Sequence, residues 1–466
     1  MGQEDGALES VVSAPKEMSK SVSKSEEGEL FQIGTSQKYL IIAGDIGGTN
    51  CRLQLVQSSA DSLEDSRILC RRKYDNDKYK LFSDALCEFF ADPVVMAAVD
   101  ANHGHTDVAC LAVAGPVDND HINFTNREGW IIDGRDLEQS FGIGRVSLIN
   151  DFAANGHGIE ALHENDIVTI QHGEKLPGAP IALVGAGTGL GECYLTKARD
   201  DDSYQVFATE GGHTDFAPRN DIETELLVWM REKVKGRVSV ERIVSGRGLQ
   251  NVYEFLAHRT QMDDMQLETH KRIMSQTDIP FAISSSRFDY SLAMQAVQMF
   301  LSAYGSEVGN VALKYLPRGG LYIAGGIAPK LLDAISETGS GFMVALYDKG
   351  RLRSRIENIP IYVVTLEDLG LRGAHVMAFR LLHAAHAAPL PVLEFRTTSL
   401  RTAAMKTASV GAKIGSALKR TNRAFLDSFS DYSVFWALGI SITTSAGFAM
   451  LITAQFTKLV REGSLR

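Results

Sequence analysis

Ala43-Gly44-Asp45-Ile46-Gly47-Gly48-Thr49-Asn50 lies between the apolar run Tyr39-Leu40-Ile41-Ile42 and the alternating stretch Arg52-Leu53-Gln54-Leu55-Val56. A strand, a glycine turn and a second strand follow from that pattern. Two adjacent residues without a Cβ let backbone N–H groups come close to phosphate oxygens, and Thr49 adds a hydroxyl donor. Asp45 is placed to hold Mg²⁺, directly or through water, because that ion keeps most of its hydration shell and takes few carboxylates. A glycine pair in a hairpin is also an ordinary tight turn, so the motif does not settle the chemistry alone.

Two further turns resemble it. Leu183-Val184-Gly185-Ala186-Gly187-Thr188-Gly189-Leu190-Gly191 again sets spaced glycines and a Thr hydroxyl after an apolar strand, without the Gly-Lys-Thr or Gly-Lys-Ser ending of a P-loop. Leu321-Tyr322-Ile323-Ala324-Gly325-Gly326-Ile327 follows a helical pattern from about Tyr290 to Tyr315, and its bare backbone suits a flat adenine or a ribose. The strand, turn and strand of Ile41 to Val56 return at Ile181 to Thr196, which points to two related lobes.

The rest of the chain frames these turns. Its 466 residues exceed one ordinary core, and 47 basic against 57 acidic residues give a net charge of −10. No basic aromatic stripe tracks a nucleic-acid backbone, which argues against nucleic acid as a partner. Cys51, Cys70, Cys87, Cys110 and Cys193 form no CxxC pair, so reduced thiols and a cytoplasmic setting are expected.

Residues 1–37, rich in Ser, Glu and Lys, read as a disordered tail. Gly6 stands where a myristoylation signal wants Ser or Thr, and Glu4 and Asp5 do not suit a transit peptide. Residues 38–152 are expected to form a small α/β lobe, completed by a helix near 370–386, and residues 153–369 a large one. Residues 387–466 form an extension, basic to about 425 and then free of charge from Tyr432 to Thr457. That run is long enough to span a bilayer, while Ser441, Thr443, Thr444, Ser445 and Gln455 dilute it. A membrane or organelle anchor and a buried or surface-lying helix stay open as alternatives.

Polar clusters between the turns exceed what a bare ATPase needs. Asn150-Asp151 follows a short apolar run, the expected exit of a strand into a cleft, where a carboxylate can take the proton of an attacking hydroxyl. A helix cap would explain the same pair. Glu210-Gly211-Gly212-His213 brings a carboxylate and an imidazole together, the mixed donors and acceptors that a sugar's hydroxyls require.

With these residues in view, the order of the three turns resembles the two phosphate motifs and the adenosine motif of the hexokinase, Hsp70 and actin ATPase superfamily. From Ile42 to His375 the chain is similar to the bacterial-type glucokinases. The resemblance implies a two-lobed α/β fold, actin-like and ribonuclease H-like, with a cleft between lobes. It implies ATP with Mg²⁺ at Gly44, Asp45, Ile46, Gly47, Gly48, Thr49, Gly187, Thr188, Gly189, Gly325 and Gly326.

Glucose would meet Asn126, Asn150, Asp151, Glu210, His213 and Glu241, with Asp151 as general base, and a homodimer is expected. Arg247 departs from the family pattern, which places Pro between those glycines. The related repressor and sugar-kinase group carries a cysteine-rich zinc motif, whereas Asp215 to Arg242 holds no cysteine. Kinase action on another hexose, or a sugar-sensing protein tethered by its tail, are the alternatives.

Overall fold

The computed structural model describes residues 37–387, apart from 125, 126, 128, 198–202 and 338. The expected tail, the extension and its uncharged run therefore lie outside the described residues, as does Asn126.

A first sheet carries five strands in the order β3-β2-β1-β4-β7, from β1 (Lys38–Ile46), β2 (Asn50–Ser59), β3 (Arg67–Asp75), β4 (Thr106–Val113) and β7 (Ile143–Asn150). Strands β5 (His121–Asn123) and β6 (Ile131–Asp133) form a separate ribbon. The second sheet runs β11-β10-β9-β12-β13-β8, from β8 (Ile167–Gln171), β9 (Ile181–Ala186), β10 (Leu190–Thr196), β11 (Gln205–Thr209), β12 (Gly320–Ala324) and β13 (Ile361–Val364).

The two sheets repeat one plan. In each, the first strand pairs antiparallel with the second and parallel with the fourth in the series, β1 with β2 and β4, β9 with β10 and β12. The sequence repeat at 41 and 181 thus corresponds to the paired hairpins β1–β2 and β9–β10. Successive side chains of a strand face opposite ways, and β1 shows it. Leu40, Ile42 and Ile46 enter a core with Phe82, Phe89 and Trp130, while Tyr39, Ile41 and Ala43 meet Leu371, Ala374, Ala378 and Leu382.

The last four belong to the helix Leu369–Ala387, which crosses the helix Asp151–Ile159 between the two sheets. Glycines make that crossing close. A side-chain carbon on Gly373 would stand 1.7 Å from the Ala154 carbonyl oxygen, and one on Gly158 would stand 2.5 Å from that of Leu369. Phe152 extends from the shorter helix onto the second sheet, where a side-chain carbon on Gly191 would lie 2.2 Å from the ring. Asp151, its chain neighbour, is held between both sheets for that reason.

Among the described residues no helix is long and apolar enough to cross a membrane. All five cysteines are free thiols.

Candidate active site

The first glycine turn closes when Gly47 N–H donates to the Asn50 carbonyl at 2.9 Å. Asn76 braces it twice: its backbone N–H reaches the Thr49 carbonyl at 2.9 Å, and its Nδ2 donates to the Gly47 carbonyl at 2.8 Å. Arg127 adds Nη1 to the Gly48 carbonyl at 3.3 Å and Nη2 to the Asn76 carbonyl, with its guanidinium 4.6 Å from the Trp130 ring centre. The turn is thereby presented with Thr49 exposed and Gly47 and Gly48 half-buried.

Gly44 and Ile46 lie deeper, inside β1. Ile46 is fully buried in the core, and a side-chain carbon on Gly44 would stand 2.6 Å from Leu111 Cδ2. Their side-chain positions are filled by packing inside β1, so what each offers to the expected nucleotide contact is its backbone. Asp45 pairs with Arg52 at 3.0 Å. Burial raises its carboxyl, Arg52 opposes this and Asp368 adds to it.

The second turn is braced from the segment that holds Glu241 and Gly246. Gly187 N–H meets the Gly189 carbonyl at 2.8 Å, and Gly246 N–H meets the Gly187 carbonyl at 2.8 Å. Glu241 Oε2 accepts from Leu190 N–H at 3.0 Å, and a side-chain carbon on Gly189 would stand 2.6 Å from that oxygen. The third turn abuts the second. Gly325 has φ of 85° and no room for a side chain, which would meet the Ala186 carbonyl oxygen at 2.3 Å. Glycine is required there on both counts.

Asn150 ends β7 and caps the helix that follows. Its Oδ1 accepts from Phe152 N–H at 2.9 Å and Ala153 N–H at 3.1 Å, and its Nδ2 donates to the Gly115 carbonyl at 3.2 Å. The cap expected as an alternative for Asp151 thus falls on its neighbour, which leaves Asp151 in the helix's first turn, where its Oδ1 accepts from Phe152 N–H at 2.9 Å. Burial first, then the charges of Asp45 and Glu210, raise that carboxyl to about 6 against the Phe152 N–H.

Glu210, His213 and Glu241 lie beside one another. His213 Nε2 is 3.7 Å from Glu210 Oε2, and its Nδ1 is 4.0 Å from Glu241 Oε1. Glu210 is 81% exposed and His213 55%, so both face solvent where a polyol could replace water, while Glu241 is 28% exposed. Arg247 is an exposed residue in the first turn of the helix Gly246–Arg259, which Ser245 caps through Gly248 N–H at 2.9 Å. The first turn of a helix accepts Pro and ordinary residues alike, so Arg247 is compatible with the helix start. Asn76 and Arg127 were missed in the sequence because their bonds cross 29 and 79 residues. Gly373 and Gly158 offered only their small size as a signal.

A family model described as Glucokinase matches residues 42–381. The chain belongs to the glucokinase family. It is 42% identical to the glucokinase of a Nostoc species over 354 residues, 73% of this chain and 99% of that protein. The glucokinase of a Synechocystis species is 41% identical over 351 residues, 72% of this chain and 97% of that protein. Among solved structures, the glucokinase of an Antarctic psychrotroph is 27% identical with a TM-score of 0.59, covering 74% of this chain and all of that one at 100%. The glucokinase of Balamuthia mandrillaris, solved with glucose, shares the fold at 22% identity and a TM-score of 0.60, covering 74% of this chain and 95% of that one. In this family member the matched span takes in all three glycine turns and every polar cluster described above.

Proposed function

We propose that the chain transfers the γ-phosphoryl group of ATP to the primary hydroxyl of glucose, giving glucose 6-phosphate and ADP, with Asp151 as general base. The observation that carries this reading is the position of Asp151. It opens the helix Asp151–Ile159 within electrostatic reach of both Asp45 and Glu210, and its carboxyl, raised to about 6, is ionised near neutrality yet basic enough to take a proton.

Backbone N–H groups of Gly48, Thr188 and Gly189, with the hydroxyls of Thr49 and Thr188, stabilise the phosphate charge, the N–H groups of Gly47 and Gly187 being engaged in closing their turns. Gly325 and Gly326 give the adenosine a flat seat. Asn150, Glu210, His213 and Glu241 take the sugar hydroxyls, Asn150 with the one amide proton that its bond to the Gly115 carbonyl leaves over. Asn126 joins them on the strength of its motif.

Asp45 alone suits Mg²⁺ that arrives with the nucleotide. No group of three or more metal-binding side chains occurs among the described residues, and Mg²⁺ in kinases takes one or two carboxylates plus phosphate oxygens. The ion would neutralise developing charge on the phosphates. As the sugar oxygen attacks phosphorus, its proton passes to Asp151 and then to solvent, while ADP leaves.

Coupled-enzyme assay of Asp151→Asn tests the assignment: phosphorylation collapses while glucose binding survives, and near-normal turnover would overturn it. Parallel rates on mannose, fructose and N-acetylated hexosamines test the sugar. The homodimer belongs to the same reading, and sedimentation analysis checks it.

A further inference from the structure

Glu192 lies on β10, 1% exposed, and no N–H or O–H donor among the described residues bonds either carboxylate oxygen. A buried ionised carboxylate without donors is costly, so the group is held neutral instead. Its partner is Glu307, 5% exposed, on the helix Ser291–Tyr315. Glu307 accepts from Asn310 Nδ2 at 3.0 Å and from Lys314 Nζ at 3.3 Å, and a protonated Glu192 supplies the remaining donor. Burial first, then the Glu307 charge, push the Glu192 carboxyl up to about 7, with Lys314 opposing.

The other side of Glu192 bears on the sugar segment. Register pairs it with Thr209, whose Oγ1 donates to the Glu192 carbonyl at 3.1 Å and accepts from Gly211 N–H at 3.2 Å. A side-chain carbon on Gly211 would stand 2.0 Å from Glu192 Oε2. The Glu210–His213 turn therefore rests with its backbone directly on this carboxyl.

We propose that Glu192, buried beneath the Glu210–His213 turn, is a positioning residue that sets Glu210 and His213 through Gly211. The inference rests on the assignment of those two residues to glucose. Loss of the shared proton places two negative charges side by side beneath the turn, and the turn moves off its support. The groups facing Glu192 are Glu307, Lys314 and Tyr315 on the long helix and the Cys193 thiol beside it in the chain. Burial raises both the Tyr315 hydroxyl and the Cys193 thiol above their ordinary values, which leaves the carboxyl pair to titrate near neutrality.

Glucose KM, ATP KM and kcat are measured from about pH 6 to about pH 8.5 for the full chain and for Glu192→Gln, which keeps a donor to Glu307 without an ionisable proton. The expected result is a glucose KM that rises about tenfold in the parent and less than about twofold in Glu192→Gln, with ATP KM steady in both. Glu307→Gln, which removes the neighbouring charge, moves the step to lower pH. A parent KM without the step, an equal step in Glu192→Gln, or a step unmoved in Glu307→Gln would each overturn the proposal. Hydrogen exchange at the 209–213 amides, corrected for intrinsic pH dependence, reads the same step without sugar. A chain that shows this step yet never phosphorylates glucose would contradict the functional reading and leave the positioning role standing; amides without the step would overturn the role itself.

Discussion

Arg127 Nη1 donates to the carbonyl of Gly48 at 3.3 Å, tying the chain neighbour of Asn126 to the first glycine turn. The same guanidinium reaches Asp77 at 3.0 Å and covers the Trp130 ring. One planar fork thus serves several acceptors, a task for which lysine has the charge but not the geometry. Arg127→Lys is expected to raise ATP KM and lower kcat/KM about tenfold. Unchanged steady-state constants would show that the turn stands without this brace.

Asp151 is expected to govern the acid limb of the rate profile. With its carboxyl raised to about 6 in the free protein, kcat/KM falls as pH drops through that value, because the protonated form cannot accept the sugar's proton. Asp151→Asn should lower kcat by about 10²–10⁴. Stability moves the other way. A folded value above the ordinary 3.8 means that the fold disfavours the ionised form, so stability is fullest below about 4 and is lost as pH rises through about 6. Thermal unfolding at neutral pH should therefore find Asp151→Asn at least as stable as the parent, and a clear loss of stability would refute the burial argument.

Glu210 and Glu241 flank the same imidazole but differ in what else they hold. Only Glu241 also accepts from Leu190 N–H, beside the second glycine turn. Glu210→Ala should raise glucose KM about tenfold and leave ATP KM unchanged, whereas Glu241→Ala should raise both. Identical effects from the two variants would break the link between Glu241 and the nucleotide side.

At the helix crossing, Gly373 has the Ala154 carbonyl where a side chain would begin, 1.7 Å away. Backbone atoms cannot turn aside as a side-chain tip can. Gly373→Ala is expected to destabilise the fold by about 1–3 kcal/mol, measured by chemical denaturation, because inserted methyl groups in packed interiors cost that much. A neutral result would mean that the two helices slide apart without penalty.

Much of this site is readable along the chain. Gly47-Gly48-Thr49 and Gly187-Thr188-Gly189 occupy hairpin turns after apolar strands, and such turns depend on residues a few positions apart. Asn150 and Asp151 were legible as the end of β7 for the same reason, though which of them caps the helix depended on where the helix began. A motif written as one run contains both strand interior and turn, and only burial separates Gly44 and Ile46 from the exposed Thr49.

Taken alone, the order of residues determined the strand and turn elements, the repeat at 41 and 181, and the polar types that a sugar and a nucleotide would need. Periodicity and local turn chemistry act over a few residues, so they survive in a linear reading. The tertiary structure decided the rest. It set Asp151 between the sheets by packing Phe152 on Gly191, braced Gly48 with Arg127 from 79 residues away, and laid Gly211 on the buried Glu192. These relationships arise from close approach of distant segments and from the exclusion of water around a carboxyl, and neither is written in local spacing.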